Sequence, residues 1–205
     1  MDIQILVAQP EHAIHAQAIC DLIEESAKAR GTGIAKREAR YVEEKMLTGK
    51  AVIAFVDGQL AGFSYIETWS HGNYVANSGL IVSPEFRRHG LAKKIKKAVF
   101  ELSRKKYPEA RIFGITTSLP VMKINSDLGY KPVTFSELTQ DDAFWAGCQT
   151  CPNHDILMRN GRKMCLCTAM MAPSAVEAKQ KKLEKLGKKR EKLDKKLDKM
   201  EKKLS

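Results

Sequence analysis

A chain of 205 residues that is 43% hydrophobic can close one good core and little more, and no apolar run approaches the length that crosses a bilayer. The start, Met1-Asp2-Ile3-Gln4-Ile5, has neither a basic stretch nor an apolar signal core, so a cytoplasmic protein with reduced cysteines and no membrane partner is expected. The net charge of +11 is uneven: from residue 175 onward 13 Lys/Arg stand against 6 Asp/Glu, so the basicity belongs mainly to a tail and is no nucleic-acid signature by itself.

Alternation of Ile3, Ile5 and Val7 predicts a first strand. A helix over about residues 11–30, with Ile14, Ala18, Leu22 and Ile23 inward, follows from the 3.6-residue period, and Gly31-Thr32-Gly33 breaks it. A second helix from about Lys36 turns Tyr41, Val42 and Met46 inward and stops at Thr48-Gly49. Two apolar runs, 51–56 and 60–66, flank Asp57-Gly58, which predicts a hairpin. After a turn near His71-Gly72-Asn73, residues 74–82 form another strand, which Pro84 ends. Leu91, Ile95, Ala98, Val99 and Leu102 then fall on one helical face, and Tyr107-Pro108 closes that helix. A strand over 111–117, a short helix over 120–128 stopped by Gly129, and a strand over 130–135 complete the pattern.

The passage from strand to helix carries the chemistry. The start of the helix after Gly90 offers unpaired backbone N–H groups and a positive dipole end, and Gly90 and Ala92 leave room for a phosphate to approach. Arg87, Arg88, His89 and Lys93 add donors. Arg87-x-x-Gly90-x-Ala92, preceded by Val82-x-Pro84-Glu85-Phe86, resembles the acyl-CoA signature of the GNAT superfamily of N-acetyltransferases. Leu128-Gly129-Tyr130 is similar to that superfamily's second marker, and the order of elements over residues 3–135 agrees. The resemblance implies a GNAT fold of α/β (α+β) class: a mixed, mostly antiparallel sheet with helices on both faces, splayed beside the motif strand to admit acyl-CoA. The amides of Arg88, His89, Gly90, Leu91 and Ala92 would hold the pyrophosphate. Leu80, Ile81 and Val82 would pair with the pantetheine arm, an N–H near Ile81 or Val82 polarising the acyl carbonyl.

Glu67 is the first candidate for the base that takes the amine proton; a solvated strand end is the other reading. Many superfamily members carry a Tyr four residues before the helix-ending Gly, where it protonates the departing thiolate. Asn125 stands there in this chain and can hydrogen-bond but not usefully protonate. Ser118 occupies a position where many members have Asn. The segment Gly33-Ile34-Ala35-Lys36-Arg37 loosely resembles the acceptor segment of acetyltransferases that act on glutamate. Arg37 would there pair with an α-carboxylate, its other reading being a solvated first-turn Arg.

Cys148-x-x-Cys151 and Cys165-x-Cys167 are not part of that superfamily pattern. Two close pairs of reduced thiols suit a structural zinc, with His154 as an alternative ligand; buried thiols, a redox pair or a reactive cysteine near the acceptor are the other readings. Cys20 lies on an apolar helical stripe and is assigned to the core. The domain boundary is expected at Pro173-Ser174, separating an acyltransferase domain of residues 1–172, including a Cys-rich segment 145–167, from a Lys/Glu/Leu-rich helix of residues 173–205. Leu183, Leu186, Leu193, Leu197, Met200 and Leu204 make a heptad seam, hence a short coiled coil and a homodimer, or else a lone charged helix. The function expected is acetyl or other short acyl transfer from acetyl-CoA to a small primary amine, such as the amino acid glutamate. The alternatives are a protein- or tRNA-modifying enzyme docking through its basic tail and a non-catalytic acyl-CoA binder.

Overall fold

Two opposite faces of one sheet divide the apolar side chains of this chain. The computed structural model describes residues 1–30 and 36–204. The expected break at Gly31-Thr32-Gly33, and Gly33, Ile34 and Ala35 of the acceptor segment, lie outside the described residues.

The strands are β1 (Ile3–Val7), β2 (Ala51–Val56), β3 (Gln59–Trp69), β4 (Tyr74–Val82), β5 (Arg111–Thr116), β6 (Lys131–Val133) and β7 (Thr168–Ala172). They form a seven-stranded sheet in the order β1-β2-β3-β4-β5-β7-β6. Every neighbouring pair is antiparallel except β4 and β5. Asp57 and Gly58 join β2 to β3 with φ of 48° and 78°, the left-handed backbone that a two-residue hairpin turn needs.

On one face, α3 (Leu91–Lys106) lays Leu91, Ile95, Val99, Phe100 and Leu102 against Val52, Ala54, Val75 and Ile112. Burying one such side chain stabilises by about 1.5–3 kcal/mol. On the other face, α1 (Ala16–Arg30) and α2 (Ala39–Leu47) pack Ile19, Cys20, Val42 and Met46 on Ile53, Phe63 and Tyr65. Farther along that face, Phe113, Ala169, Phe135, Phe144, Trp145 and Leu157 form a third cluster. It brings in α5 (Asp142–Ala146) and α6 (His154–Arg159), with α4 (Leu119–Asp127) lying before β6.

Several expectations shift. Residues Pro10–His15 form a 3-10 turn and α1 begins only at Ala16, so the helical face is rotated: Ile19, Cys20 and Ile23 are buried, Ala18 is exposed and Ile14 is 82% exposed. Strand β3 runs on to Trp69, which puts Glu67 inside a strand rather than at its end. Strand β7 starts at Thr168, so Cys165 and Cys167 precede it.

The tail is the single helix α7 (Ala175–Leu204). Ser174 and Glu177 cap its start reciprocally, at 3.0 Å and 2.9 Å, and Glu177 pairs with Arg111 at 2.9 Å. Leu183, Leu186, Leu193 and Met200 are each more than half exposed, so no described residue covers that part of the seam, and the coiled coil is not supported. Among the described residues no helix is long and apolar enough to cross a membrane.

Candidate active site

The parallel pairing of β4 with β5 is short. It joins Tyr74, Val75 and Ala76 to Arg111, Ile112 and Phe113 and then ends. Beyond it, β5 pairs only with β7, and the rest of β4 only with β3. The gap opens into a cavity of about 550 Å³ on the α1–α2 side of the sheet. Asn77, Ser78, Gly79 and Leu80 line one edge, and Gly114, Ile115, Thr116 and Thr117 the other.

A bulge shapes the β4 edge. Tyr65 faces Ser78 and Phe63 faces Ile81, so Gly79 and Leu80 together oppose Ser64. Gly79 has φ of 63°, and a Cβ there would lie 2.3 Å from the Tyr65 ring. Both facts require glycine. Leu80 borders the cavity, whereas Ile81 and Val82 are buried in the cores of the two faces.

The loop after β4 leads to Gly90, the N-cap of α3, with φ of 71°. The first bond of α3 runs from the Lys94 N–H to the Gly90 carbonyl at 3.2 Å, leaving the amides of Leu91, Ala92 and Lys93 outside the helical ladder. A Cβ on Gly90 would meet nothing within 4 Å, and Arg88 and His89 beside it are exposed. These open amides at a positive helix end fit a pyrophosphate. Arg87 does a different job: its Nε donates to the Val82 carbonyl at 3.1 Å and its Nη2 to Ser26 Oγ at 2.9 Å, tying the loop to α1. Lys93 bridges to Asp127 of α4 at 2.7 Å.

Asn125 is buried and lines the cavity. Its Nδ2 donates to Met170 Sδ at 3.7 Å, while its Oδ1 is buried with no partner among the described residues. An orphaned acceptor on the wall of the gap suits a pantetheine amide. Ser118 is the N-cap of α4, and its N–H donates to Thr116 Oγ1 at 3.1 Å; the cavity wall there is made by Thr117 and Val121.

Across the cavity, Glu67 accepts hydrogen bonds from the Tyr41 hydroxyl and the Ser78 hydroxyl. Arg37 stands on the same wall, its Nε donating to the Tyr65 hydroxyl at 2.6 Å. Burial first, and then the Glu67 carboxylate, push both tyrosines above the ordinary phenol value, so they remain donors. Lys36 N–H donates to Thr150 Oγ1 at 3.0 Å, which closes this wall onto the Cys-rich segment.

Cys148, Cys151, Cys165 and Cys167 all border the cavity, as does His154. Zinc finds no support: among the described residues no group of three His, Cys, Asp or Glu is arranged to hold a metal ion. Burial, and then the neighbouring thiols, push Cys148 up to about 11 and Cys167 up to about 12, so both are protonated at neutral pH. Cys165 Sγ is turned to the Asn153 carbonyl, 3.8 Å away.

The partners of Glu67, the Gly79 bulge and the buried Lys96 were not singled out from sequence. An isolated glycine inside a strand run is the signal that finds the bulge.

Residues 43–120 match the model of the acetyltransferase (GNAT) family. The match takes in the split strand, the glycine loop and α3. N-acetylglutamate synthase from Neisseria gonorrhoeae, complexed with coenzyme A and N-acetyl-glutamate, superposes with a TM-score of 0.60 at 17% identity, over 85% of this chain and 35% of its own. A Mycobacterium tuberculosis protein in complex with CoA and NLQ gives 0.60 at 14% identity, over 83% and 98%. A phosphinothricin acetyltransferase from Sinorhizobium meliloti, in complex with AcCoA, gives 0.58 at 14% identity, over 85% and 89%. At these identities the likeness establishes the fold. This chain spans about a third of the Neisseria enzyme. No curated protein sequence matches it.

Proposed function

We propose that this chain transfers an acetyl or other short acyl group from acyl-CoA to the amine of an α-amino acid, glutamate being the first candidate. The observation that carries the reading is that Arg37 and Glu67 both line the cavity that the β4–β5 gap opens into. A zwitterion has one group for each: its carboxylate for the Arg37 guanidinium, whose Nε and Nη1 also donate to the Tyr65 hydroxyl and the Lys36 carbonyl, and its ammonium for Glu67. A ligand in the Neisseria structure, N-acetyl-glutamate, is the N-acetylated form of such an amino acid.

Acyl-CoA, when bound, supplies the activated thioester. The amides at the start of α3 hold its pyrophosphate, and Asn125 Oδ1 accepts from its pantetheine arm. The bulged Gly79-Leu80 edge turns backbone donors toward the acyl carbonyl. Glu67, held by Tyr41 and Ser78, removes a proton from the acceptor ammonium so that the amine can attack.

A panel of L-amino acids set against their decarboxylated amines, with acetyl-CoA as donor, tests this. L-amino acids should be preferred, and Arg37→Lys should raise the acceptor KM while leaving that for acetyl-CoA unchanged. Equal use of amino acids and simple amines would sink the amino-acid assignment. A second reading, acetylation of an acidic macromolecule docked on α7, is favoured by that helix's exposure; it requires that deleting residues 175–205 abolish salt-dependent RNA binding.

A further inference from the structure

Lys96 is the only Lys, Arg, Asp or Glu among the described residues that is buried, at 2% exposure. It shares the inward stripe of α3 with Val99, Phe100 and Ser103, where an aliphatic residue would pack without cost. Burying an ammonium costs several kcal/mol unless it is compensated, and buried, perturbed groups facing a cleft mark functional sites. Lys96 faces such a cleft. Helix α3 lies on the sheet face opposite Arg37 and Glu67, yet Lys96 lines the same cavity, because the ladder between β4 and β5 stops at Ala76 and Phe113. The gap is a window through the sheet, and Lys96 enters it from behind.

The surroundings fix the amine in that window. Its Nζ sits over the Tyr130 ring, 5.2 Å from the centroid. The Tyr130 hydroxyl donates to Asn77 Oδ1 at 2.9 Å, Asn77 Nδ2 donates to Ser103 Oγ at 2.8 Å, and Ser103 Oγ donates to the Val99 carbonyl at 2.7 Å. The edges of the gap, residues 77–80 of β4 and 114–117 of β5, and Asn125 of α4 hold no titrating side chain; the other titratable groups of the cavity, Lys36, Arg37, Glu38, Tyr41, Glu67, His154 and the four cysteines, line the rest of it. Tyr130 is held well above the ordinary phenol value by burial and stays neutral.

We propose that Lys96 is the general acid of the transfer, giving its proton to the sulfur that leaves. The inference rests on the acyl-transfer reading above. As the acceptor nitrogen bonds to the acyl carbon, the carbon–sulfur bond breaks and its electron pair goes to sulfur. Lys96 Nζ–H supplies the proton that makes the free thiol. The acceptor nitrogen loses two protons: the first, taken from the ammonium by Glu67 before attack, leaves to solvent, and the second, shed as the amide forms, goes to Glu67 and returns to Lys96 through solvent, so the sum is ammonium plus thioester to amide, thiol and one proton. Burial lowers Lys96 to about 7, and an acid of that strength protonates a thiolate of ordinary pKa, about 8.5, downhill. The position that would otherwise hold a proton donor, Asn125, has none to give.

The test is a pH profile of kcat, read as thiol release from saturating acetyl-CoA. The acceptor is L-glutamate, or whichever amine of the panel the wild-type protein turns over. Wild type should lose kcat on the alkaline side as Lys96 gives up its proton. Lys96→Met should lower kcat by about 10²-fold, change the KM for acetyl-CoA little, and lack the alkaline limb. Lys96→Arg keeps the charge but cannot release a proton, and should be as slow as Lys96→Met. Either variant turning over within twofold of wild type with the limb intact, or losing only KM, overturns the assignment while leaving the acyl-transfer reading standing. A wild-type protein that releases no thiol with any amine overturns both.

Discussion

Tyr41 and Glu67 are joined by a hydrogen bond between helix α2 and strand β3, the phenol donating to the carboxylate on the cavity wall. With Ser78 donating to the other carboxylate oxygen, Glu67 is oriented by two hydroxyls and reaches the cavity in a single pose. Glu67 is thus held in place by its neighbours, which supports the role of base proposed for it.

Replacement of the base should therefore show in turnover rather than in stability. Glu67→Gln should lower kcat by about 10²-fold or more, with acetyl-CoA affinity unchanged by calorimetry. Tyr41→Phe removes one orienting bond and should have a smaller effect. Full turnover in Glu67→Gln would remove Glu67 from the chemistry.

Gly90 is the test of the phosphate site. Its left-handed φ of 71° would cost an alanine about 1–2 kcal/mol in local strain, while the space beside it is open. Gly90→Glu adds bulk and negative charge at the free amides of Leu91 and Ala92. Acetyl-CoA affinity should fall at least tenfold in calorimetry, with the thermal transition near that of wild type. Unchanged affinity would place the pyrophosphate elsewhere.

The thiols offer a chemical readout. With Cys148 pushed up to about 11 and Cys167 up to about 12, iodoacetamide at pH 8 should leave both largely unmodified in the folded protein, and raising the pH should speed their reaction. A chelator should change nothing. Protection of all four cysteines that is lifted by a chelator would restore the zinc assignment.

Lys96 also links stability to pH. Its folded-state pKa, about 7, lies below the ordinary lysine value of about 10.4 in the unfolded chain. The unfolded state thus binds more protons across that interval, so this residue's contribution to stability is full above the unfolded value and is lost as pH falls toward the folded one. Lys96→Met should raise the melting temperature at pH 7 and flatten the rise in stability from pH 7 to 10. A melting temperature unchanged at pH 7 would mean the amine is solvated.

Much of the fold was legible because it is written in short-range patterns. The Asp57-Gly58 turn, the stripe from Leu91 to Leu102 and the glycine stops gave the order of elements through Val133. The failures came from backbone events that periodicity does not encode. The 3-10 turn at Pro10–His15 rotated α1 and exposed Ile14. The Cys-rich segment is placed by contacts such as Phe113 with Phe144, between residues distant in sequence. In the site, the signature located Gly90 and its amides, but a motif does not say where a side chain turns. Arg87 matches the signature yet binds Ser26, and Lys96, one of several lysines on α3, points inward.

The central claim is that one acyl group passes from CoA to an amine in the β4–β5 gap, and the direct measurement is stoichiometry. Wild-type protein, acetyl-CoA and the amino-acid panel are incubated together, free thiol is titrated, and the N-acetylated amino acid is quantified by mass spectrometry in the same samples. The account predicts thiol and N-acetyl product in equal amounts for at least one amino acid, falling together in Glu67→Gln and in Gly90→Glu. Acetyl-CoA bound at the gap with no thiol released on any amine, or thiol released without an N-acetyl product, would contradict it.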